Sequence, residues 1–492
     1  MRFDVHEVDM ETRAPIVIMN RSDAEELGIN PLDRVQITAE GEQIVGIVDI
    51  TEQMVEEGTI GVTERLSYLD GPIDLTAAPK PDSVRHIREK LDDEELGKEA
   101  LESIVSDINE NRLNDVEMGA YVTGIYTNRL SLEETRHLTE AMTEIGDTIS
   151  WDRPVIADKH SIGGVAGNRV TPIVIPIVAA AGATIPKTSS RAITSPAGTA
   201  DVMEVFCDVE FTISEIKDIV NEVGGCIVWG GGVNLSPVDD EIIRAEHPLS
   251  LDPEGQVIAS VLSKKKSAGA THAVIDIPYG EGSKVENLPD ARDIAQKFKH
   301  VGDHLGITIE CTITTGTEPI GDGIGPVLEA RDVLRVLEGN GPDDLRLKSL
   351  RLARILLEIC DIDADAEELL ASGAALDTFR EIVDAQGGDT GIEADDLQPG
   401  EHTVAVVAER DGIVDHINNS IISEIARRGG APKDKRTGIE LHQDVGDRVE
   451  DGDPLFTVYV EEETHLPEVE QLVEDTSAVR VRSREGSLVE RV

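Results

Sequence analysis

The stretch that most constrains this chain runs from Ala157 to Phe206, ADKHSIGGVAGNRVTPIVIPIVAAAGATIPKTSSRAITSPAGTADVMEVF. Two small-residue loops, 158–169 and 187–199, each end where a helix is expected to begin, and the apolar run 170–185 between them reads as one buried helix. A helix start that offers free backbone N–H groups behind glycines, with Ser, Thr, Lys or Arg nearby, is suited to an anion. Two such loops side by side imply a substrate carrying phosphate.

The rest of the chain supplies the surroundings of these loops. At 492 residues it exceeds what one core usually organises, so several domains are expected. Residues 1–80 alternate short apolar runs with turns and read as a β-rich domain. Residues 81–155 shift to helical spacing, with a capping-box signature at Ser131 to Glu134. From 156 to about 400, helices alternate with short strands, which implies a mostly parallel sheet with ligands beyond the strands' carboxyl ends. Residues around 363–400 read as an acidic helical connection, and 401–492 as a β-rich α+β domain. The fold class expected is thus multi-domain α/β.

Charge narrows the partners. The formal net charge is −52, from 97 Asp plus Glu against 45 Lys plus Arg, spread along the chain. Such self-repulsion is tolerable where salt screens it, so a salt-adapted, cytoplasmic protein is expected. Duplex nucleic acid needs a basic footprint and is disfavoured. The longest apolar run is short and holds Pro172, Pro176 and Gly182, so no membrane partner is expected. Four scattered cysteines without a CxxC pair indicate neither a zinc site nor a disulfide framework, and no metal is expected.

In the first loop, Lys159 and Ser161 precede Gly163, Gly164 and Gly167. Glycine admits close backbone approach to an anion, the lysine adds a charge and the hydroxyl a directed hydrogen bond. Alone, such a loop is equally a tight turn. The second loop gathers Ser189, Ser190, Arg191, Thr194, Ser195 and Thr199 around Gly198, more donors than a helix cap needs. Asp252 precedes Pro253 at a helix start, where a cap would also stand, yet Gln256, Ser260 and Lys264 form a polar stripe leading from what reads as a buried carboxyl. Lys284 follows Gly280 and Gly282 after an expected strand. It is placed to face a ligand or solvent, and His160 to orient a substrate or fill a core.

These motifs resemble the thymidine phosphorylase superfamily and, within it, the archaeal AMP phosphorylase branch. The resemblance rests on DKHSIGGVAGN, KTSSRAITSPAGTADVMEVF and LDPEGQVIASVLSKK, with GIVDHI and GGAPKDKRTGIEL towards the C-terminus. It implies phosphorolysis of a nucleoside 5′-monophosphate with orthophosphate as co-substrate and no cofactor, in a homodimer or larger homo-oligomer. By position it implies that Gly164, Ser190, Arg191, Ala192, Ile193, Thr194, Ser195, Thr199, Ser260 and Lys284 bind the nucleotide. It likewise makes Asp252 the proton donor, and Lys159 and Ser161 the phosphate ligands. Where the pyrimidine enzymes carry an arginine this chain has Ala245, with Arg244 adjacent, so a pyrimidine nucleoside is less favoured; the base stays open, with GMP, CMP or UMP, or a pyrimidine nucleoside, as alternatives to AMP. The second loop also resembles that of anthranilate phosphoribosyltransferase, which implies a diphosphate leaving group instead.

Overall fold

Alternating apolar residues begin the N-terminal part. A computed structural model describes residues 1–12, 14–39, 42–192, 195–249 and 251–482. These group into two compact units, one made of Met1–Gly146 with Ser236–Ser263, the other of Asp147–Leu235 with Lys264–Val492.

In the first unit, six strands close a barrel in the order Arg2–Glu7, Thr59–Val62, Ile16–Asn20, Glu42–Thr51, Arg34–Ala39 and Ile73–Ala78. Arg2–Glu7 and Thr59–Val62 pair in parallel, as do Ile16–Asn20 and Glu42–Thr51. Closure leaves no unpaired edge, and Phe3, Val17, Met19, Val35, Ile37 and Ile60 fill the interior. The strands at each end of this segment, Arg2–Glu7 and Ile73–Ala78, pair with each other and complete the ring.

Helices Ser83–Leu91, Lys98–Asn109, Asp115–Thr127 and Leu132–Ile145 follow, and Pro237–Glu246 returns to pack with them through Val238 and Ile242. Ser131 and Glu134 form the capping box anticipated for the last of the four. Glu134 does more than cap, because it also receives buried Lys90 Nζ at 2.9 Å and Leu96 N at 2.8 Å. Arg34, buried in a barrel strand, donates to the carbonyl of Arg112 at 2.9 Å and pairs with Glu117, which ties the barrel to the helices.

The second unit contains a parallel sheet ordered Thr308–Thr315, His272–Tyr279, Ala157–Ser161, and a parallel pair Ile185–Ser189 with Gly225–Trp229. The apolar run expected to be one helix is helical only over Thr171–Ala180. Gly182, at φ +87°, turns the chain, and Ile185 opens a strand. Helices Pro326–Glu338, Asp343–Ile359 and Ala374–Ala385 share the core of Thr171–Ala180. The C-terminal part holds a three-stranded sheet, three strands of a four-stranded sheet completed by Gly323–Ile324, and helices Asn419–Arg428 and Leu466–Asp475. Among the described residues no helix is long and apolar enough to cross a membrane.

Candidate active site

The two loops leave the carboxyl ends of parallel strands. Lys159 and Ser161, expected on a loop, lie on the strand Ala157–Ser161, and only 162–170 is irregular. Side chains alternate along a strand, so Lys159 and Ser161 share one face while Asp158 and His160 share the other. Ser161 stands in register with Asp276 of the neighbouring strand. The glycines then turn the chain, with φ of +90° at Gly163 and +89° at Gly164. A Cβ on Gly164 would lie 2.6 Å from Lys284 N, so this glycine is needed to let the loop after His272–Tyr279 approach. Lys284 itself is exposed beside that contact. Ala166 N donates to Asn419 Oδ1 at 3.1 Å, which fastens the loop to the start of helix Asn419–Arg428.

Below the glycine loop lies a buried charge cluster. Lys159, 1 % exposed, donates to Thr171 Oγ1 at 3.2 Å. Burial, helped by the charges of Lys348 and Arg169 and opposed by Asp276 and Asp158, lowers its amine to about 7. Asp276 accepts from Ser161 Oγ at 2.9 Å and Thr314 Oγ1 at 2.7 Å, and pairs with Lys348 Nζ at 2.9 Å. Burial would raise the Asp276 carboxyl, but Lys348 and Lys159 outweigh it and hold the carboxyl below its usual range. On the opposite face, Asp158 takes Lys265 Nζ at 2.6 Å and lies 3.8 Å from Lys187 Nζ. Burial, then the charge of Lys265, pushes Lys187 well down, and the same causes keep His160 neutral far below its ordinary value.

The second loop follows the strand Ile185–Ser189 and ends at the short helix Thr199–Met203. One buried carboxylate shapes it: Asp201 Oδ2 accepts both Ala192 N at 2.7 Å and Gly198 N at 2.8 Å. Ser190 and Ser195 are exposed, and Ser195 Oγ donates to the carbonyl of Ala197 at 3.1 Å. Ile193 and Thr194 lie outside the described residues. Arg191 donates to both oxygens of Glu204 at 2.8 and 2.6 Å, with its guanidinium 4.9 Å from the Trp229 ring centre. Glu204 also receives Lys435 Nζ at 2.6 Å. Hydrogen bonds from Arg191 outweigh partial burial and lower Glu204 to about 2. Arg169 joins the loops, donating to Thr199 Oγ1 at 3.0 Å and the carbonyl of Ala197 at 2.9 Å while pairing with buried Glu329.

In the first unit, Asp252 is exposed two residues ahead of the helix that begins at Glu254, so the expectation of a buried carboxyl is corrected. The polar stripe has a buried partner that sequence reasoning missed. Asp239 accepts from Ser260 Oγ at 2.7 Å and Gln256 Nε2 at 3.3 Å.

Asp239, Asp276, Lys348, Arg169 and Asp201 are all functional candidates absent from the sequence reading. Only Asp201, three residues after Gly198 and so placed to close the loop's hydrogen bonds, had a local signal. The others act across long separations. Among the described residues no group of three or more His, Cys, Asp or Glu could hold a metal ion.

Comparison with known proteins agrees with this construction. The glycosyl transferase family's helical bundle domain matches residues 84–146, its a/b domain residues 153–242, and the pyrimidine nucleoside phosphorylase C-terminal domain residues 413–480. An AMP phosphorylase of Natronomonas pharaonis is 55 % identical, with 100 % of both chains covered. One from Thermococcus kodakarensis is 43 % identical over 100 % of this chain and 99 % of its own. Among solved structures, anthranilate phosphoribosyltransferase of Thermus thermophilus superposes with a TM-score of 0.53 at 16 % identity, covering 62 % of this chain and 99 % of that one, which shows a shared fold. With end-to-end identity of this order, the chain belongs to the AMP phosphorylase family.

Proposed function

We infer that this protein is a pentosyltransferase that phosphorolyses AMP. Orthophosphate attacks the anomeric carbon, the glycosidic bond breaks, adenine departs with a proton, and ribose 1,5-bisphosphate remains. The observation that carries this reading is the joining of two anion-suited loops by Arg169, one behind Lys159 and one rich in hydroxyls. Lys159 and Ser161 hold the attacking phosphate. Gly164, Lys284 and the segment 190–199 hold the nucleotide, with Ser260 contributing from its own helix. Asp252 protonates the leaving base, a role that requires the bound substrates to desolvate its carboxyl and surround it with negative charge.

Orthophosphate is a co-substrate, and we assign no metal or cofactor, so chelation should leave the rate unchanged. We also assign residues 1–80 to assembly, 81–155 to the helical part, 156–400 to catalysis and 401–492 to support, in a cytoplasmic homo-oligomer. Light scattering of the full chain against one lacking residues 1–80 tests the assembly role. The reaction is tested by supplying AMP and phosphate in concentrated KCl without magnesium and measuring adenine and ribose 1,5-bisphosphate. Equal amounts of both are expected. Turnover of phosphoribosyl diphosphate, with AMP untouched, would sink the reading. Faster phosphorolysis of GMP, CMP or UMP would keep the reaction and change the base.

A further inference from the structure

Ser161 has little freedom in how it meets a ligand. Its Oγ lies 2.9 Å from Asp276 Oδ2 and 3.3 Å from Asn168 Nδ2. An ionised carboxylate only accepts hydrogen bonds and an amide nitrogen only donates them, so Ser161 donates to Asp276 and accepts from Asn168. A hydroxyl owns one proton and two lone pairs, and this arrangement leaves one lone pair unspent. The other end of the same amide, Asn168 Oδ1, is buried without a partner, which adds a second acceptor. Asp276 is itself immobilised. It is fully buried, receives Thr314 Oγ1 on its other oxygen and pairs with Lys348, a lysine reaching in from helix Asp343–Ile359. The positive charge needed by an anion is present in Lys159 on the same strand face.

We propose that this cluster selects orthophosphate by its proton: Ser161 Oγ and Asn168 Oδ1 accept a hydrogen bond from the P–OH group, and Asp276, backed by Lys348, is the positioning residue that turns Ser161 into an acceptor. This rests on Ser161 belonging to the phosphate site, as inferred above. Lys159 takes the unprotonated oxygens, one of which is left to attack the sugar without a base to deprotonate it. Hydrogen arsenate has the same proton and fits. Sulfate has none at neutral pH and would meet the lone pairs of Ser161 and Asn168 with its own.

The test compares three tetrahedral anions on the full chain in concentrated KCl at neutral pH, with AMP saturating. Arsenate should replace phosphate with a similar KM, while sulfate should inhibit competitively with a Ki about tenfold or more above the phosphate KM, the discrimination available to a site whose acceptors are left unpaired. Ser161→Ala should raise the phosphate KM and leave the sulfate Ki unchanged or lower, so the selectivity collapses. In Asp276→Asn the amide can donate to Ser161 and free its proton for the ligand, and sulfate should tighten relative to phosphate. If Asp276→Asn does not fold, Ser161→Ala carries the test. Native enzyme that binds sulfate as tightly as phosphate overturns the proposal, and so does an unchanged selectivity in folded Asp276→Asn. Equal weakening of both anions by Ser161→Ala makes Ser161 a donor and overturns it while leaving the phosphate site in place. Should Ser161→Ala move neither anion, the assignment of Ser161 to phosphate fails and the selectivity proposal falls with it.

Discussion

Arg169 Nη1 donates to Thr199 Oγ1 at 3.0 Å, so the glycine-rich loop holds the first turn of the helix that closes the hydroxyl-rich loop. The same guanidinium neutralises Glu329, which burial raises above the usual carboxylate range even against Arg169's attraction. Arg169→Ala therefore strands a buried carboxyl and releases the second loop together. A loss of about 3 kcal/mol in denaturant unfolding is expected, the lower end for breaking a buried pair. The released loop should also raise the KM for AMP, and adding Glu329→Gln should recover part of the stability but not that KM. Recovery of both would make Arg169 structural only.

Lys159 gives the site a pH limit. Its amine, lowered to about 7 chiefly by burial, carries charge below that value and loses it above. Sulfate inhibition isolates the effect because sulfate does not titrate in this range: 1/Ki should fall with unit slope above about pH 7, whereas Lys159→Arg, always charged, should be flat. The linkage to stability has the opposite sense. The unfolded lysine keeps its proton to about pH 10, so folding releases a proton between about pH 7 and pH 10 and this contribution rises with pH. A flat native Ki profile would remove Lys159 from the anion site.

How much of this was legible in the sequence depends on how local the cause is. Leu132–Ile145 could be read because Ser131 and Glu134, three residues apart, cap one another. That residues 1–80 are β-rich was legible in their alternation, but the pairing of Arg2–Glu7 with Thr59–Val62 and Ile73–Ala78 was not, since nothing in its own sequence announces those partners. The glycine motif was visible, but whether Lys159 sits on a loop or a strand is decided by the neighbouring His272–Tyr279 ladder. Asp276 and Lys348 are joined only by folding, since a carboxylate on one strand and a lysine on a distant helix leave no spacing to detect. Similarly, Asp252 reads as a buried carboxyl at the head of a polar stripe, yet the chain exposes it before the helix begins.

Glu204 couples the hydroxyl-rich loop to the C-terminal part through Arg191 and Lys435. Its carboxyl, lowered to about 2 first by Arg191, contributes stability that is present above the ordinary glutamate range and lost as pH falls towards 2. The three groups are about one-third exposed, so Glu204→Gln should cost only about 1 kcal/mol in stability. The KM for AMP should nonetheless rise several-fold with kcat nearly unchanged, because the loop is loosened before binding. A fall in kcat with constant KM would place Glu204 in the chemical step instead.

Salt should govern folding. With a net charge of −52, repulsion acts over a screening length of about 10 Å at 0.1 M salt but about 3 Å at 1 M. The unfolding midpoint should climb steadily as KCl is raised through this range, and activity lost on dialysis into dilute buffer should follow the same curve. A midpoint independent of KCl would show that the acidic surface is already neutralised by its own cations.

Asp252 supplies the sharpest test of mechanism. Breaking the glycosidic bond leaves electron density on the base, and a proton donor there is worth about 10²–10⁴ in rate. Asp252→Asn keeps the shape but cannot transfer that proton, so kcat should fall by about this factor while AMP affinity, measured by calorimetry, changes only a few-fold. In a nucleotide whose base is already cationic, such as a 7-methylpurine 5′-monophosphate, the base departs neutral without taking a proton. The variant should therefore lose far less on that substrate than on AMP. Equal losses on both would show that Asp252 positions the nucleotide and that the proton comes from elsewhere.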